Sequence, residues 1–183
     1  GIGIDIDDWQ KSKDFLLRYQ GLLILDADAL NRISKSKQGS NFFLERKFKT
    51  WITPHDREFE RLFPKFQCKN KVELAFKAAN EFNVSILLKG ANSIISDKET
   101  AWQLYGTDSE TARAGLGDLL SGFIGGSSAK DIACCKGIST EFFAKYVLLH
   151  SFASSQCKKG TNANNIGDEL SKLMRKIKTR QIS

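Results

Sequence analysis

Two short apolar runs, each broken off by a charged residue, constrain this chain more than any other feature. Leu22-Leu23-Ile24-Leu25 stops at Asp26, and Val84-Ser85-Ile86-Leu87-Leu88 stops at Lys89-Gly90. Such runs are too short for helices and too apolar for a sheet with one wet face. They read as strands buried on both faces. Thr50 to Thr53 reads as another short strand, closed by Pro54. Between these runs the periodicity changes to that of helices. Asp28 to Ser34 reads as a helix with Asp28 as candidate cap, a second helix follows Pro54 through Glu58 and Phe63, and 72–82 carries Val72, Ala75, Phe76 and Ala79 at helical spacing. Ser93 to Ser96 and Ala101 to Tyr105 are weaker strands that can pair as a hairpin, and three helices are expected near 116–127, 139–157 and 165–177. Strands alternating with helices predict an α/β sandwich with a mostly parallel sheet.

The chain has 183 residues, 41% hydrophobic and 27% charged, which suits one domain with a sizeable core. No repeat or internal linker divides it, so a single domain over 1–183 is expected. No apolar stretch approaches membrane-spanning length, and no signal-peptide pattern stands at the front. Because the first residue is Gly and not Met, an upstream segment is expected. Cys68, Cys134, Cys135 and Cys157 form no CxxC pair, and only two histidines occur. That pattern is poor for a metal centre or a disulfide framework and fits a reducing cytoplasm. The net charge of +7 includes Lys172, Arg175, Lys176, Lys178 and Arg180 near the C-terminus. Without interleaved aromatic residues, this cluster reads as a solvated helix face and not a nucleic-acid site.

In open α/β sheets, ligands sit beyond the carboxyl ends of the strands. The chemistry-bearing residues of this chain fall there: Asp26, Asp28 and Asn31 after the first strand, Thr53, Pro54, His55 and Glu58 after the second, Lys89, Gly90 and Ser93 after the third. The run Ala114-Gly115-Leu116-Gly117-Asp118 follows the last extended segment and opens an apolar helix. Backbone N–H groups at a helix start attract anions, and the helix dipole adds to the pull. A carboxylate at that point repels phosphate, unless its task is to take a proton from the group that attacks the phosphate. The run therefore reads as an anion hole (Gly115, Leu116, Gly117) with a built-in base, Asp118. Gly1-Ile2-Gly3 lacks the third glycine and preceding strand of a dinucleotide fingerprint, and no Walker A lysine motif exists. Ser34, Ser121 and Ser151 have no His–Asp pattern beside them, so a hydrolase triad has little support.

Four segments, in order, resemble one family. Leu25-Asp26-Ala27-Asp28-Ala29-Leu30-Asn31 is similar to its LDADALN segment, and Thr53-Pro54-His55-Asp56-Arg57-Glu58 to TPHxGE. Leu88-Lys89-Gly90-Ala91-Asn92-Ser93 is similar to LKGxxT, and Gly115-Leu116-Gly117-Asp118-Leu119-Leu120-Ser121-Gly122 to GxGDxLxG. The chain thus resembles the ADP- or ATP-dependent NAD(P)H-hydrate dehydratases of the ribokinase-like superfamily. The resemblance implies a three-layer α/β/α sandwich with further strands before Gly1, an upstream epimerase domain in some members, and a homo-oligomer. It also implies a repair reaction. A nucleotide phosphorylates the hydroxyl of a hydrated nicotinamide ring, and phosphate then leaves to restore NADH or NADPH.

By the same resemblance, Asp118 is the base, and Gly115, Leu116 and Gly117 hold the transferred group. Lys89, Gly90, Ala91, Asn92, Ser93 and Gly117 contact ADP or ATP. Gly3, His55 and Asp118 contact the hydrated cofactor, and Asp28 and Asn31 support the site. Mg²⁺ is expected on phosphate oxygens and water, with no protein metal site. The chain departs from the family pattern at Ile2, Arg57, Ser93, Glu110 and Arg113. Two other functions stay open at this point: a ribokinase-like kinase for a small alcohol, which shares only GxGD, and a non-catalytic nucleotide-binding module.

Overall fold

The computed structural model describes residues 9–105, 115–134, 136–158 and 161–180. The chain divides into two compact units, one ending at Gln103 and the other starting at Leu104.

The first unit is built on a five-stranded sheet whose spatial order is the chain order: β1 (Leu23–Leu25), β2 (Thr50–Ile52), β3 (Ser85–Leu88), β4 (Ile94–Ser96) and β5 (Ala101–Gln103). β1, β2 and β3 run parallel, with Leu25 opposite Ile52 and Ile52 opposite Ile86. β4 and β5 then turn back as an antiparallel meander, with Leu88 opposite Ile94 and Ile95 opposite Trp102. The hairpin expected from 93–105 is this meander. Every residue of β2, β3 and β4 is buried, as their apolar composition requires, whereas the edge strand β5 is half-exposed throughout.

Helices α2 (Asp28–Lys35), α4 (Asp56–Leu62) and α5 (Lys71–Phe82) match the expected periods. Asn70 caps α5 by accepting from the N–H groups of Val72 at 3.0 Å and Glu73 at 3.3 Å. Two further helices, α1 (Trp9–Arg18) and α3 (Asn41–Glu45), have no counterpart in the sequence reading. α1 escapes a periodicity search because a lysine lies on its buried stripe. Trp9 and Lys13 are both buried, and the Lys13 ammonium stands 3.6 Å from Glu45. With five residues, α3 is too short to show a period, yet it buries Phe42 and Phe43. Those rings join Phe59, Phe63, Phe66 and Phe82 in one aromatic core, with neighbouring centroids between 5.0 and 6.3 Å. Buried Arg46 ties the end of α1 to the sheet. Its guanidinium donates to the carbonyls of Tyr19 and Gly21 at 2.6 Å and to Thr50 Oγ1 at 2.9 Å.

The second unit holds three helices: α6 (Leu116–Ala133), α7 (Thr140–Gln156) and α8 (Ala163–Arg180). α6 continues past the expected end near Ser127 to Ala133, because no breaker interrupts Ser128 to Ala133. Ala153, Ile166 and Leu170 form the buried centre, flanked by Leu116, Leu119, Phe123 and Leu149. Tyr146 packs edge-on to Phe123 and donates its hydroxyl to Asp131, joining α7 to α6. No helix among the described residues is long and apolar enough to cross a membrane.

Candidate active site

Parallel pairing brings the carboxyl ends of β1, β2 and β3 to one edge, so Asp26, Thr53 to His55, and Lys89 gather there. The backbone past β2 joins both neighbours. Thr53 N–H donates to Leu25 O at 3.1 Å, and Lys89 N–H donates to Pro54 O at 2.8 Å. The Lys89 ammonium reaches back over the end of β2 to Asp26 Oδ1 at 2.7 Å, and both side chains are largely shielded. The same oxygen accepts from the Ala27 N–H at 2.9 Å. Ala27 itself stands at φ 47°, ψ −115°, a backbone region that disfavours a residue with a Cβ. It occupies the N-cap position of α2 with no side-chain cap. Asp28 therefore is not the cap expected from the sequence. It is the first helical residue, where its charge suits the helix dipole.

His55 caps α4. Its Nδ1 accepts from the Glu58 N–H at 3.3 Å, while the His55 N–H donates to Glu58 Oε2 at 2.9 Å, a reciprocal capping box. An accepting Nδ1 puts the proton of the neutral ring on Nε2, which lies 3.5 Å from Glu58 Oε1. The imidazole remains about half exposed. Asn31 turns to a different partner, accepting from Arg61 at 2.8 Å and so linking α2 to α4.

Lys89 opens the β3–β4 loop. Gly90, Ala91 and Asn92 are exposed, and Ser93 closes the loop by donating to Gly90 O at 3.2 Å. A cavity of about 370 Å³ lies against it, lined by Lys89 to Asn92 and by Lys69, Asn70 and Lys71 at the start of α5. Three lysines against one carboxylate, Asp56, around this cavity, with a helix N-terminus in its wall, suit a polyanion. Lys71 is also ion-paired with Asp56 at 2.6 Å. Lys69 and Lys71 were missed in the sequence reading. The signal was present, since two lysines flank the Asn cap, but nothing in the sequence tied that turn to the β3 end.

In the second unit, Gly115 stands at φ 83°, the left-handed region that favours glycine, as N-cap of α6. The helix begins with Leu119 N–H donating to Gly115 O at 2.9 Å, which places the N–H groups of Leu116, Gly117 and Asp118 ahead of its first turn of hydrogen bonds. Asp118 is exposed and lines an open groove of about 600 Å³ between α6 and α8, together with Phe123, Leu170, Met174 and Arg175. Deeper in this unit, burial holds the His150 imidazole down at about 4 and keeps it neutral. Gly3, Glu110 and Arg113, which the sequence reading singled out, lie outside the described residues.

The family model for NAD(P)H-hydrate dehydratase matches residues 1–178. The bifunctional NAD(P)H-hydrate repair enzyme Nnr of Methanopyrus kandleri is 28% identical over 182 residues, covering 96% of this chain and 34% of that protein. Among solved structures, a ribokinase-like superfamily protein from Enterococcus faecalis has a TM-score of 0.78 at 25% identity, covering 95% of this chain and 60% of that one. The ADP/ATP-dependent NAD(P)H-hydrate dehydratase of Bacillus subtilis, co-crystallized with ATP and Mg²⁺ and soaked with CoA, has a TM-score of 0.70 at 24% identity. It covers 93% of this chain, which spans 62% of the Bacillus chain. The fold is thus ribokinase-like, and the chain spans about a third of the Methanopyrus protein and three fifths of the solved ones.

Proposed function

The chain belongs to the NAD(P)H-hydrate dehydratase family, and from that premise we propose that it converts hydrated NADH or NADPH back to the intact cofactor, driven by ADP or ATP. One observation carries the reading: the family match runs through both units, from residue 1 to 178, and includes all four motif segments. The same continuity supports treating the two units as parts of one domain.

Hydroxide is a poor leaving group from the hydrated ring, and phosphate is a good one. The nucleotide would supply the phosphoryl group, and a divalent ion bound with it would supply charge neutralisation during the transfer. Among the described residues no group of three or more His, Cys, Asp or Glu could hold such an ion by itself. Asp118, exposed at the start of α6, takes the proton of the ring hydroxyl as the oxygen attacks phosphorus. The N–H groups of Leu116 and Gly117, with the left-handed Gly115 before them, stabilise charge on the transferred group. The ring nitrogen then pushes electrons as phosphate departs and the neighbouring carbon loses its proton. Lys89 and the loop through Ser93 hold the nucleotide, a role supported by the cationic cavity beside them. His55 offers a polar edge to the hydrated cofactor, and Asp28 and Asn31 support the site from α2. Gly3 completes the cofactor contacts. The unpaired Cys68, Cys134 and Cys157 fit a reducing compartment such as the cytoplasm, and a homo-oligomer is the expected assembly.

The test is to add ADP or ATP to the protein with hydrated NADH and follow NADH absorbance. Recovery that needs nucleotide supports the reading. A phosphorylated acceptor that accumulates without NADH would point to a kinase instead.

A further inference from the structure

Asp26 and Lys89 are 63 positions apart in the chain, and their strands are not neighbours, because β2 lies between β1 and β3. Their 2.7 Å contact therefore bridges three strand ends. A lysine whose task was only to attract phosphate would gain from having no carboxylate beside it. The carboxylate weakens the positive field, so its presence calls for a compensating benefit. Lysine provides one. Its four-carbon stem carries about 2 kcal/mol of rotamer entropy, which is lost when the ammonium is fixed on a ligand. An ion pair formed in advance removes that cost from the binding step.

Asp26 is itself held in place. The oxygen that takes the ammonium also accepts from the Ala27 N–H, and Ala27 sits at φ 47°, ψ −115°. Such backbone persists only where the surroundings over-determine it, and it gathers at ligand sites. Here the surroundings are explicit. Leu25 O accepts from Thr53 N–H before the kink, and Ala27 O accepts from Asn31 N–H after it, starting α2.

We propose that Asp26 is the positioning residue for Lys89. Its carboxylate fixes the ammonium over the end of β2, beside the cavity that Lys89 lines, so that Lys89 meets phosphate oxygens of the nucleotide from one set direction. The proposal rests on the reading of residues 89–93 as the nucleotide loop.

The test is calorimetric titration of the protein with ADP and with ATP, alongside steady-state turnover. Asp26→Asn keeps an acceptor for the Ala27 N–H and removes the charge that holds Lys89. Nucleotide Kd and KM are expected to rise about tenfold, with kcat changed less than about threefold. In a Lys89→Met background the same substitution is expected to add less than about twofold, because Asp26 acts through the ammonium. If Asp26→Asn does not fold, Asp26→Glu, which keeps the charge but shifts it by one methylene, takes its place with the same expected direction. An unchanged or tighter Kd in the Asp26 variant overturns the proposal, as does an undiminished effect in the Lys89→Met background. A thermal midpoint that drops while Kd stays unchanged identifies a structural clasp only. Wild-type protein that binds neither ADP nor ATP overturns the nucleotide-loop reading as well, whereas wild-type binding with an unaffected variant overturns the Asp26 proposal alone.

Discussion

The two units solve the same problem with different materials. At the strand ends of the first unit, side chains do the positioning: Asp26 holds Lys89, His55 and Glu58 cap each other, and Asn31 ties α2 to α4. At the start of α6 the backbone does it, through a left-handed glycine and the N–H groups that follow. Their cores differ as well. The first unit packs six phenylalanines in contact and closes its buried Arg46 with hydrogen bonds. The second centres on three small or medium residues, and it buries Ser128 Oγ, His150 Nε2 and Ser154 Oγ with no hydrogen-bond partner among the described residues. Buried polar atoms without partners cost stability. The comparison teaches that the unit carrying the proposed base is the less well anchored of the two, and that it buries a histidine whose charging acid favours.

The largest expected effect falls on the backbone-built site. Asp118→Asn should lower turnover by about 10²–10⁴ while leaving nucleotide affinity within about threefold, because only the base is lost. Turnover near wild type would remove Asp118 from its role. Next comes the aromatic core. Phe63, fully buried against the rings of Phe43, Phe59, Phe66 and Phe82, should cost about 3–5 kcal/mol when cut to alanine, measured by denaturant unfolding. A loss below about 1 kcal/mol would mean that the first unit is not the rigid partner.

Acid should weaken the second unit through His150. The unfolded His150 titrates at its ordinary 6.5 and the folded one at about 4, so the unfolded state binds the extra proton first. Stability is therefore unaffected by this group above pH 6.5 and falls as pH drops from 6.5 toward 4, by about 3 kcal/mol in all. His150→Leu should flatten that part of the pH–stability curve. A curve of unchanged slope would assign the acid sensitivity elsewhere. The smallest effect tests the kink in the first unit: Ala27→Gly relieves a strained backbone and should raise stability by about 1 kcal/mol. Destabilisation would show that the conformation carries no strain.

The same contrast governs what could be read from the sequence. Backbone devices leave local marks, so the Gly115–Asp118 run and the strand-ending positions were visible as motifs. Buried parallel strands show as unbroken apolar runs, and β1, β2 and β3 were found within a residue or two. Side-chain devices joined across the fold leave no local mark. Asp26 is visible at a strand end, but nothing near it in the chain points to its partner 63 residues on, or to the lysines at α5. The cap of α2 was misassigned to Asp28 because an aspartate before an apolar period is the ordinary signal, while Ala27 achieves the turn through an unusual backbone angle. α1 was missed because Lys13 breaks its apolar stripe, a lysine whose ammonium stands 3.6 Å from Glu45.

The central claim is that phosphate enters and leaves in one reaction. It is tested most directly by measuring three products together after adding ATP and hydrated NADH to the protein. The account predicts that NADH, inorganic phosphate and ADP rise in a one-to-one-to-one ratio. ADP formed without NADH, or phosphate retained on the acceptor, would contradict it.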